Sequence, residues 1–539
     1  MQTIYYNGKV YTGELPLKEA FVVEDERFTF VGSNEEVGSM ADPDDEFVDL
    51  EGAFVCAGVN DSHMHLLGFG HALYMARLNE HTQSLSEMLD YLREYASHIT
   101  LGEHSWIVGR GWNQDYFSDV DRLPSRWDLD QVSEQYPICI TRACGHCLVV
   151  NSRALELLGV TAESEQPAGG AIGMENGQPD GRFYDNAMDQ VYNASPAPSR
   201  RELKEMLREA CRVMNTYGLT SCQTDDYCAF LNVDWREINA AYAELEAEGD
   251  MTVRVYEQAN FTNVPALKEF IAEGNHTGVR RGRFTIGPLK MLGDGALGAR
   301  TALLSRPYAD APDVTGLPVF TQETLDAMIS CANAADMQVA VHAIGDGCLD
   351  RVLSAYRKAL AEHPRADHRH GIVHCQITRP DQLDAIAELG LHVYAQSIFL
   401  DYDTHIVYQR VGEELAATSY NWKTLMDKGV WVSNGSDCPV ELPDVMGGIQ
   451  CAVTRQPKDG SVAPYLPDQA FTVQEALDSF TSRAAHASFE EKVKGLIAPG
   501  MMADFVVLGA DPFETDVHAL KDIPVVSTWL AGELVYTSK

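Results

Sequence analysis

Between residues 199 and 489 the sequence repeats one unit, an amphipathic helix followed by a short apolar strand, and that alternation restricts the fold more than any single motif. Ser199-Arg-Arg-Glu202 is a capping-box signature opening a helix whose apolar positions (Leu203, Met206, Leu207, Ala210, Val213, Met214) recur at helical spacing until Gly218. Residues 219–223 then read as a strand, and strand-like runs return at 253–258, 284–291, 338–342, 372–374, 392–396 and 430–433. Among the intervening helices, Thr321, Pro380 and Thr472-Val-Gln-Glu475 mark starts, and Gly390 and Gly429 mark ends. With the apolar run that ends in Gly58–His65, this makes eight strands of (β/α) type, the number that closes a barrel. An open doubly wound sheet is the alternative, but it would want a Gly-rich phosphate-binding turn after its first strand, and none is present. The expected class is α/β, a (β/α)8 TIM-like barrel.

Residues 1–56 contain short alternating segments (3–6, 9–11, 20–23, 28–31, 46–50) with little helical signal, and the last fifty carry strand-like runs at 504–508 and 525–535. Neither end has enough strands to bury a core alone. Residues 1–56 plus 490–539 are therefore expected to form a composite N-/C-terminal β-sandwich flanking a barrel of 57–70 plus 199–489. Residues 71–198 break the rhythm, with strand-like runs at 106–108, 138–141 and 147–150, a Trp112-Asn113 turn, and a Gly/Pro-rich stretch over 167–181. They read as a large insertion after the first barrel strand, where loops that shape a substrate pocket belong.

The first strand delivers His63 and His65, which as residues i and i+2 share one face about 7 Å apart and can grip one metal ion. Lys290, His342, His374 and Asp437 each follow an apolar run and precede a polar or Gly-containing loop. In a barrel those C-terminal strand ends converge on one face. Three histidine strand ends and a carboxylate make a nitrogen and oxygen donor set suited to zinc, with iron, manganese or nickel also open, as one ion or two. A desolvated lysine amine beside cations can add carbon dioxide, and the resulting carbamate on Lys290 would bridge two ions. His368-Arg-His370 is a second His-x-His pair, but it precedes its strand and so belongs to the opposite face. Cys144-Gly-His-Cys147 has no partner pair at zinc-ribbon spacing and reads as structural.

The balance of 41 Lys and Arg against 79 Asp and Glu, a net charge of −38, argues against nucleic acid or an anionic membrane as partner. The N-terminus shows no basic region followed by an apolar one, and no apolar run is long enough to span a bilayer. Together with scattered single cysteines, this gives a cytoplasmic protein with reduced thiols as the expectation. The oligomeric state stays open, a homodimer included.

His63-Met-His65, Lys290, His342, His374 and Asp437, in this order, resemble the metal set of the amidohydrolase superfamily. Further stretches resemble its family 3 branch, which includes N-substituted formamide deformylases: Gly58-Val-Asn-Asp-Ser-His-Met-His, Gly111-Trp-Asn-Gln114, Cys144-Gly-His146 with Asn151-Ser152, Asp294-Gly-Ala-Leu-Gly-Ala-Arg-Thr301, and Gly435-Ser-Asp-Cys-Pro-Val-Glu441. Cys56-Ala57-Gly58 departs from the pattern, lacking the usual Pro before the Gly. The resemblance implies a metal-dependent hydrolase of small molecules that cleaves a non-peptide C–N bond in an amide, formamide or cyclic amide through a metal-activated hydroxide. Asp437 would be the general base, and Cys222 the alternative bridging ligand to Lys290. Trp112, Asn113, His146 and Arg300 are the candidate substrate contacts. A metal-dependent lyase or isomerase on the same barrel, or a non-catalytic metal-binding scaffold, is the alternative.

Overall fold

The computed structural model describes residues 2–98, 106–142, 147–167, 170–185, 187–194, 196–230 and 232–538. Eight parallel strands stand side by side in chain order: β1 (Val59–Met64), β2 (Leu219–Thr224), β3 (Arg254–Asn260), β4 (Phe284–Leu292), β5 (Val339–Ala343), β6 (Gly371–His374), β7 (His392–Ala395) and β8 (Val432–Asn434). The last is joined back to the first by hydrogen bonds just past their ends. Asp437 N–H donates to His63 O and His65 N–H to Cys438 O, both at 2.8 Å. This is the TIM-like barrel that the alternation predicted.

Local chemistry fixes the strand and helix limits. Thr321 accepts from the Thr324 N–H and opens Gln322–Ala334, while Thr472 and Glu475 cap Val473–Ser479 reciprocally. Gly390 and Gly429, after Pro380–Glu388 and Trp422–Asp427, adopt φ of 62° and 84°, the left-handed conformation that stops a helix without a Cβ penalty.

The two chain ends build two sheets. One has the order Arg27–Gly32, Ala20–Glu24, Thr3–Tyr6, Glu46–Asp49; the other runs Lys9–Val10, Phe54–Ala57, Phe505–Leu508, Val525–Leu530, Glu533–Thr537. Phe54–Ala57 pairs antiparallel with Phe505–Leu508, so the second sheet needs both ends of the chain. Tyr5 stacks on Phe21 at 4.7 Å and meets Phe505 edge-on at 5.2 Å, giving the two sheets a shared aromatic core. Within this region the structure adds a helix, Asn34–Met40, capped by Ser33 and Glu36, to the little helical signal expected there.

The chain divides into two compact units: Met1–Phe69 with Leu207–Ala229 and Ile238–Lys539, and Gly70–Met206 with Phe230–Glu237. The second unit holds a six-stranded sheet ordered Gly170–Glu175, Gln178–Asp185, Cys147–Val150, Ile138–Arg142, Ile107–Trp112, Ala76–Arg77. Gly170–Glu175 and Gln178–Asp185 form a β-hairpin turning at Asn176 and Gly177, with φ of 52° and 78°, the Asn-Gly pair that a type I′ turn favours. Among the described residues all cysteines are free thiols, and no helix is long and apolar enough to cross a membrane.

After β7, the buried Asp403 carboxylate accepts from Tyr420 Oη at 2.8 Å and Gln376 Nε2 at 3.1 Å. Burial nevertheless pushes its pKa up to about 6. A raised carboxyl pKa contributes stability that is present below the unfolded value and lost as pH climbs through the folded one. Asp403→Asn is therefore expected to match the wild type near pH 4 and to exceed it by roughly 2–3 kcal/mol at pH 8. Urea unfolding at both pH values reads the difference, and a gap that does not change with pH refutes the assignment.

Candidate metal centre

β1 presents His63 almost wholly buried, with Nδ1 2.8 Å from Gln258 Oε1 on β3. Gln258 is itself oriented by donating Nε2 to Ser62 O at 3.2 Å, so its carbonyl oxygen faces the ring and accepts a hydrogen bond from Nδ1–H. His63 Nε2 is thereby turned toward Asp437 Oδ1, 3.3 Å away. His374, at the end of β6, repeats the device with Nδ1 2.8 Å from Gln396 Oε1. His65 uses Nδ1 on the carbonyl of Asp225 at 3.3 Å and sets Nε2 3.1 Å from the same Asp437 Oδ1. The rings pack edge to face, His63 to His65 at 5.3 Å and His63 to His374 at 5.7 Å between centroids.

The backbone is bent to make this possible. His374 and Asp437 sit at φ of 75° and 58°, in the left-handed region that few non-glycine residues occupy, and that conformation aims both side chains into the barrel mouth. Asp61, also buried, anchors the last strand end to the first by accepting from the Ser436 N–H and hydroxyl. Gly435 must lack a Cβ there, because one would fall 2.6 Å from His63 N and 2.8 Å from His63 O. Gly435→Ala is expected to cost about 1–3 kcal/mol by overpacking and to weaken metal binding, since the backbone carrying His63 must move. Equilibrium unfolding and metal dissociation measured together check it; a variant normal in both sinks the account.

Electrostatics favour positive charge at this point. Burial pushes the His63 pKa down to about 4, with Lys290 adding to the effect, and holds His374 well below its ordinary value. For His65, burial acts downward, but the contact and charge of Asp437 outweigh it and the net shift is upward. Asp437 is pulled the other way. Burial alone would raise its carboxyl, and its contacts with His63 and His65 hold it well below the usual carboxylate range. A neutral His63 has one ring proton, which it donates to Gln258 Oε1, so its Nε2 lone pair faces an ionised carboxylate. Positive charge relieves that contact, supplied by His65, whose Nε2 lies 3.1 Å from the same oxygen, or by a bound cation. The donor atoms of His63, His374 and Asp437 lie within 4.8 Å of one another, and this nitrogen and oxygen set fits a divalent metal ion.

Lys290, on β4, is fully buried and donates to Asp225 Oδ2 at 3.3 Å. His342 lies beside His374, with ring centroids 4.5 Å apart, and its Nε2 contacts Gly295 O at 3.1 Å and Asp294 Oδ1 at 3.3 Å. Arg300 is in the loop after β4, ion-paired in bidentate fashion to Asp310 at 2.8 and 3.0 Å. Trp112 and Asn113 belong to the second unit. Trp112 is enclosed in that unit's apolar core and donates Nε1 to Ile140 O at 3.2 Å, while Asn113 caps Gln114–Tyr116 and accepts from Arg142 Nη2. These contacts give all three side chains structural work. His146 lies outside the described residues. Cys222 is fully buried on β2 and is not among the donors grouped within 4.8 Å, and burial raises its thiol well above the ordinary value. His368 and His370 stay at the start of β6, where His370 Nδ1 accepts from the Val339 N–H at 3.0 Å.

Sequence reasoning missed the residues behind the cluster. Asp225 and Cys228 follow β2 as Lys290 and His374 end their own strands, so the strand-end rule could have found them. Gln258 and Gln396, polar residues at strands β3 and β7, gave a fainter signal.

The sequence model of the amidohydrolase family matches residues 46–536. The protein YtcJ of Bacillus subtilis (strain 168), whose name is "Putative amidohydrolase YtcJ", is 33% identical across 99% of both chains. The N-substituted formamide deformylase of Arthrobacter pascens is 26% identical over 96% of this chain and 95% of that one. A crystal structure of an uncharacterized metal-dependent hydrolase from Pyrococcus furiosus superposes with a TM-score of 0.80 at 27% identity, covering 95% of this chain and all of the other. A match that runs nearly from end to end and takes in the barrel and the histidine cluster leaves one conclusion: the chain belongs to the amidohydrolase family, in its family 3 branch.

Proposed function

We propose that the chain is a metal-dependent hydrolase of small molecules that cleaves C–N bonds other than peptide bonds, in an amide, formamide or cyclic amide. The observation that carries this reading is the convergence of His63 Nε2 and His65 Nε2 on one oxygen of Asp437, at 3.3 and 3.1 Å, with the donor atoms of His63, His374 and Asp437 within 4.8 Å of one another. His63, His374 and Asp437 would hold a divalent ion, zinc being the match to the donor set, with His65, Lys290 and His342 beside them. When bound, the ion would polarise the scissile carbonyl and ease deprotonation of the attacking water. Asp437, kept ionised by its neighbours, accepts the proton of that water and returns it to the leaving nitrogen as the C–N bond breaks, so amide and water become acid and amine. Gln258 and Gln396 hold the rings of His63 and His374 in the tautomer that leaves Nε2 free. A carbamate on Lys290 would require its amine to leave Asp225. Intact mass measured with and without carbon dioxide tests that point, a gain of the mass of carbon dioxide supporting the carbamate.

The function is tested by metal analysis of the purified protein and a panel of N-formyl, N-acyl and cyclic amides, before and after chelation. Equimolar amine and acid should appear, vanish on chelation and return with Zn2+. A fully loaded protein that leaves the whole panel intact would overturn the reading, and a product with no water added would make it a lyase or isomerase.

A further inference from the structure

We infer that the barrel mouth carries a second metal position, held by His65, Asp225 and Cys228, in which a cysteine thiolate is a ligand. The inference rests on the reading that this barrel end binds metal, and goes beyond it in naming a site on the β2 side. One donor atom from each of the three residues lies within 4.8 Å of the others. The carboxylate of Asp225 is fixed at one oxygen and free at the other. Oδ2 accepts from Lys290 Nζ at 3.3 Å and Asn260 Nδ2 at 3.1 Å, whereas Oδ1 is buried with no hydrogen-bond partner. A buried carboxylate oxygen left bare in a fully enclosed residue is costly unless a positive group meets it. Lys290 and Asn260 lock the orientation that keeps Oδ1 available, as partners of metal-ligating carboxylates do.

The other two donors are held by the same short turn. His65 Nδ1 and Cys228 Sγ both contact the carbonyl of Asp225, at 3.3 and 3.4 Å, so one backbone oxygen orients an imidazole and a thiol around the carboxylate of its own residue. Imidazole, carboxylate and thiolate together suit zinc, and three protein ligands leave a position open. Because Asp437 Oδ1 contacts Nε2 of both His63 and His65, the same carboxylate borders the first donor group and the second. In this arrangement Asp225 supplies from the chain itself a carboxylate beside Lys290, where the superfamily pattern would look to carbon dioxide.

The test uses cobalt(II) as the probe. The full-length protein is stripped by chelation and titrated with cobalt, with bound equivalents measured by equilibrium dialysis and the near-ultraviolet thiolate-to-cobalt charge-transfer band followed by absorption. The wild type should develop that band with one of its equivalents. Cys228→Ser should lose the band and one equivalent, Asp225→Asn should lose the same equivalent, and Cys222→Ser should keep both. Should a Cys228 variant fail to fold, the wild-type spectrum and Asp225→Asn decide alone. Cobalt bound without a thiolate band, a band that survives Cys228→Ser, or no cobalt bound at all overturns the inference. Hydrolysis by a protein without the band would reject this site and leave the proposed function standing. A band without hydrolysis would do the reverse.

Discussion

Asp437→Asn is expected to lower kcat by roughly 10²–10⁴-fold when assayed at saturating metal, the range that a positioned general base contributes. The amide keeps an oxygen that can face the ion and keeps the shape of the loop, whose backbone N–H still donates to His63 O at 2.8 Å. It removes the negative charge and the capacity to take up a proton. Metal content has to be measured on the same sample, because Asp437 also touches both histidines of the first strand and its loss can weaken binding. Near-normal turnover with metal fully bound would move the base elsewhere. A loss of turnover that excess metal restores would show Asp437 to be a ligand only.

Arg254→Ala is expected to destabilise the protein by about 3–5 kcal/mol, the cost of stranding one member of a buried ion pair. Arg254, at the start of β3, grips Asp504 with Nε at 2.7 Å and Nη2 at 3.0 Å, and the two side chains are only 12% and 4% exposed. Burial would lower the arginine's pKa, but Asp504 outweighs it and the guanidinium is held more firmly charged. Asp504 also accepts the Ala531 N–H at 2.8 Å, and its carbonyl takes the Gly58 N–H just before β1, so the pair fastens the barrel's base to the terminal sheets. Denaturant unfolding should show a lower midpoint with an unchanged slope. A shift below about 1 kcal/mol would mean the pair behaves as a solvated one.

The barrel was legible because its signals are local. Each strand is a short apolar run, and the helices between them announce themselves with Thr321, Thr472, Gly390 and Gly429, residues whose cap or turn chemistry acts within a few positions. The histidine pair was legible for a related reason, since i and i+2 on a strand share a face wherever the strand goes. What the sequence concealed depends on distant partners. Nothing near Gln258 says that its carbonyl will face His63, 195 positions earlier. Asp225 and Cys228 gain meaning only when Lys290 and His65 arrive beside them from other strands. Trp112 shows a different limit, because a tryptophan next to an asparagine in a turn reads equally well as a substrate contact and as a core residue, and its enclosure among Leu78, Ile107 and Ile140 is visible only in the fold. The helix Asn34–Met40 was within reach, since Ser33 and Glu36 form a capping box, but its single buried residue, Val37, gives almost no periodic pattern.

The bond between Ser436 and Asp61 spans 375 positions of sequence. Closing so long a loop is entropically costly and slow compared with forming local helices, so the junction that completes the barrel belongs late in folding. A growing polypeptide that has not yet produced Asp437 holds His63 and His65 without the carboxylate that joins them. An ion held by His63, His374 and Asp437 would bind only after Asp437 has been made, and by binding only the finished ring it would favour the closed state by mass action, acting as a clasp on the last step of assembly.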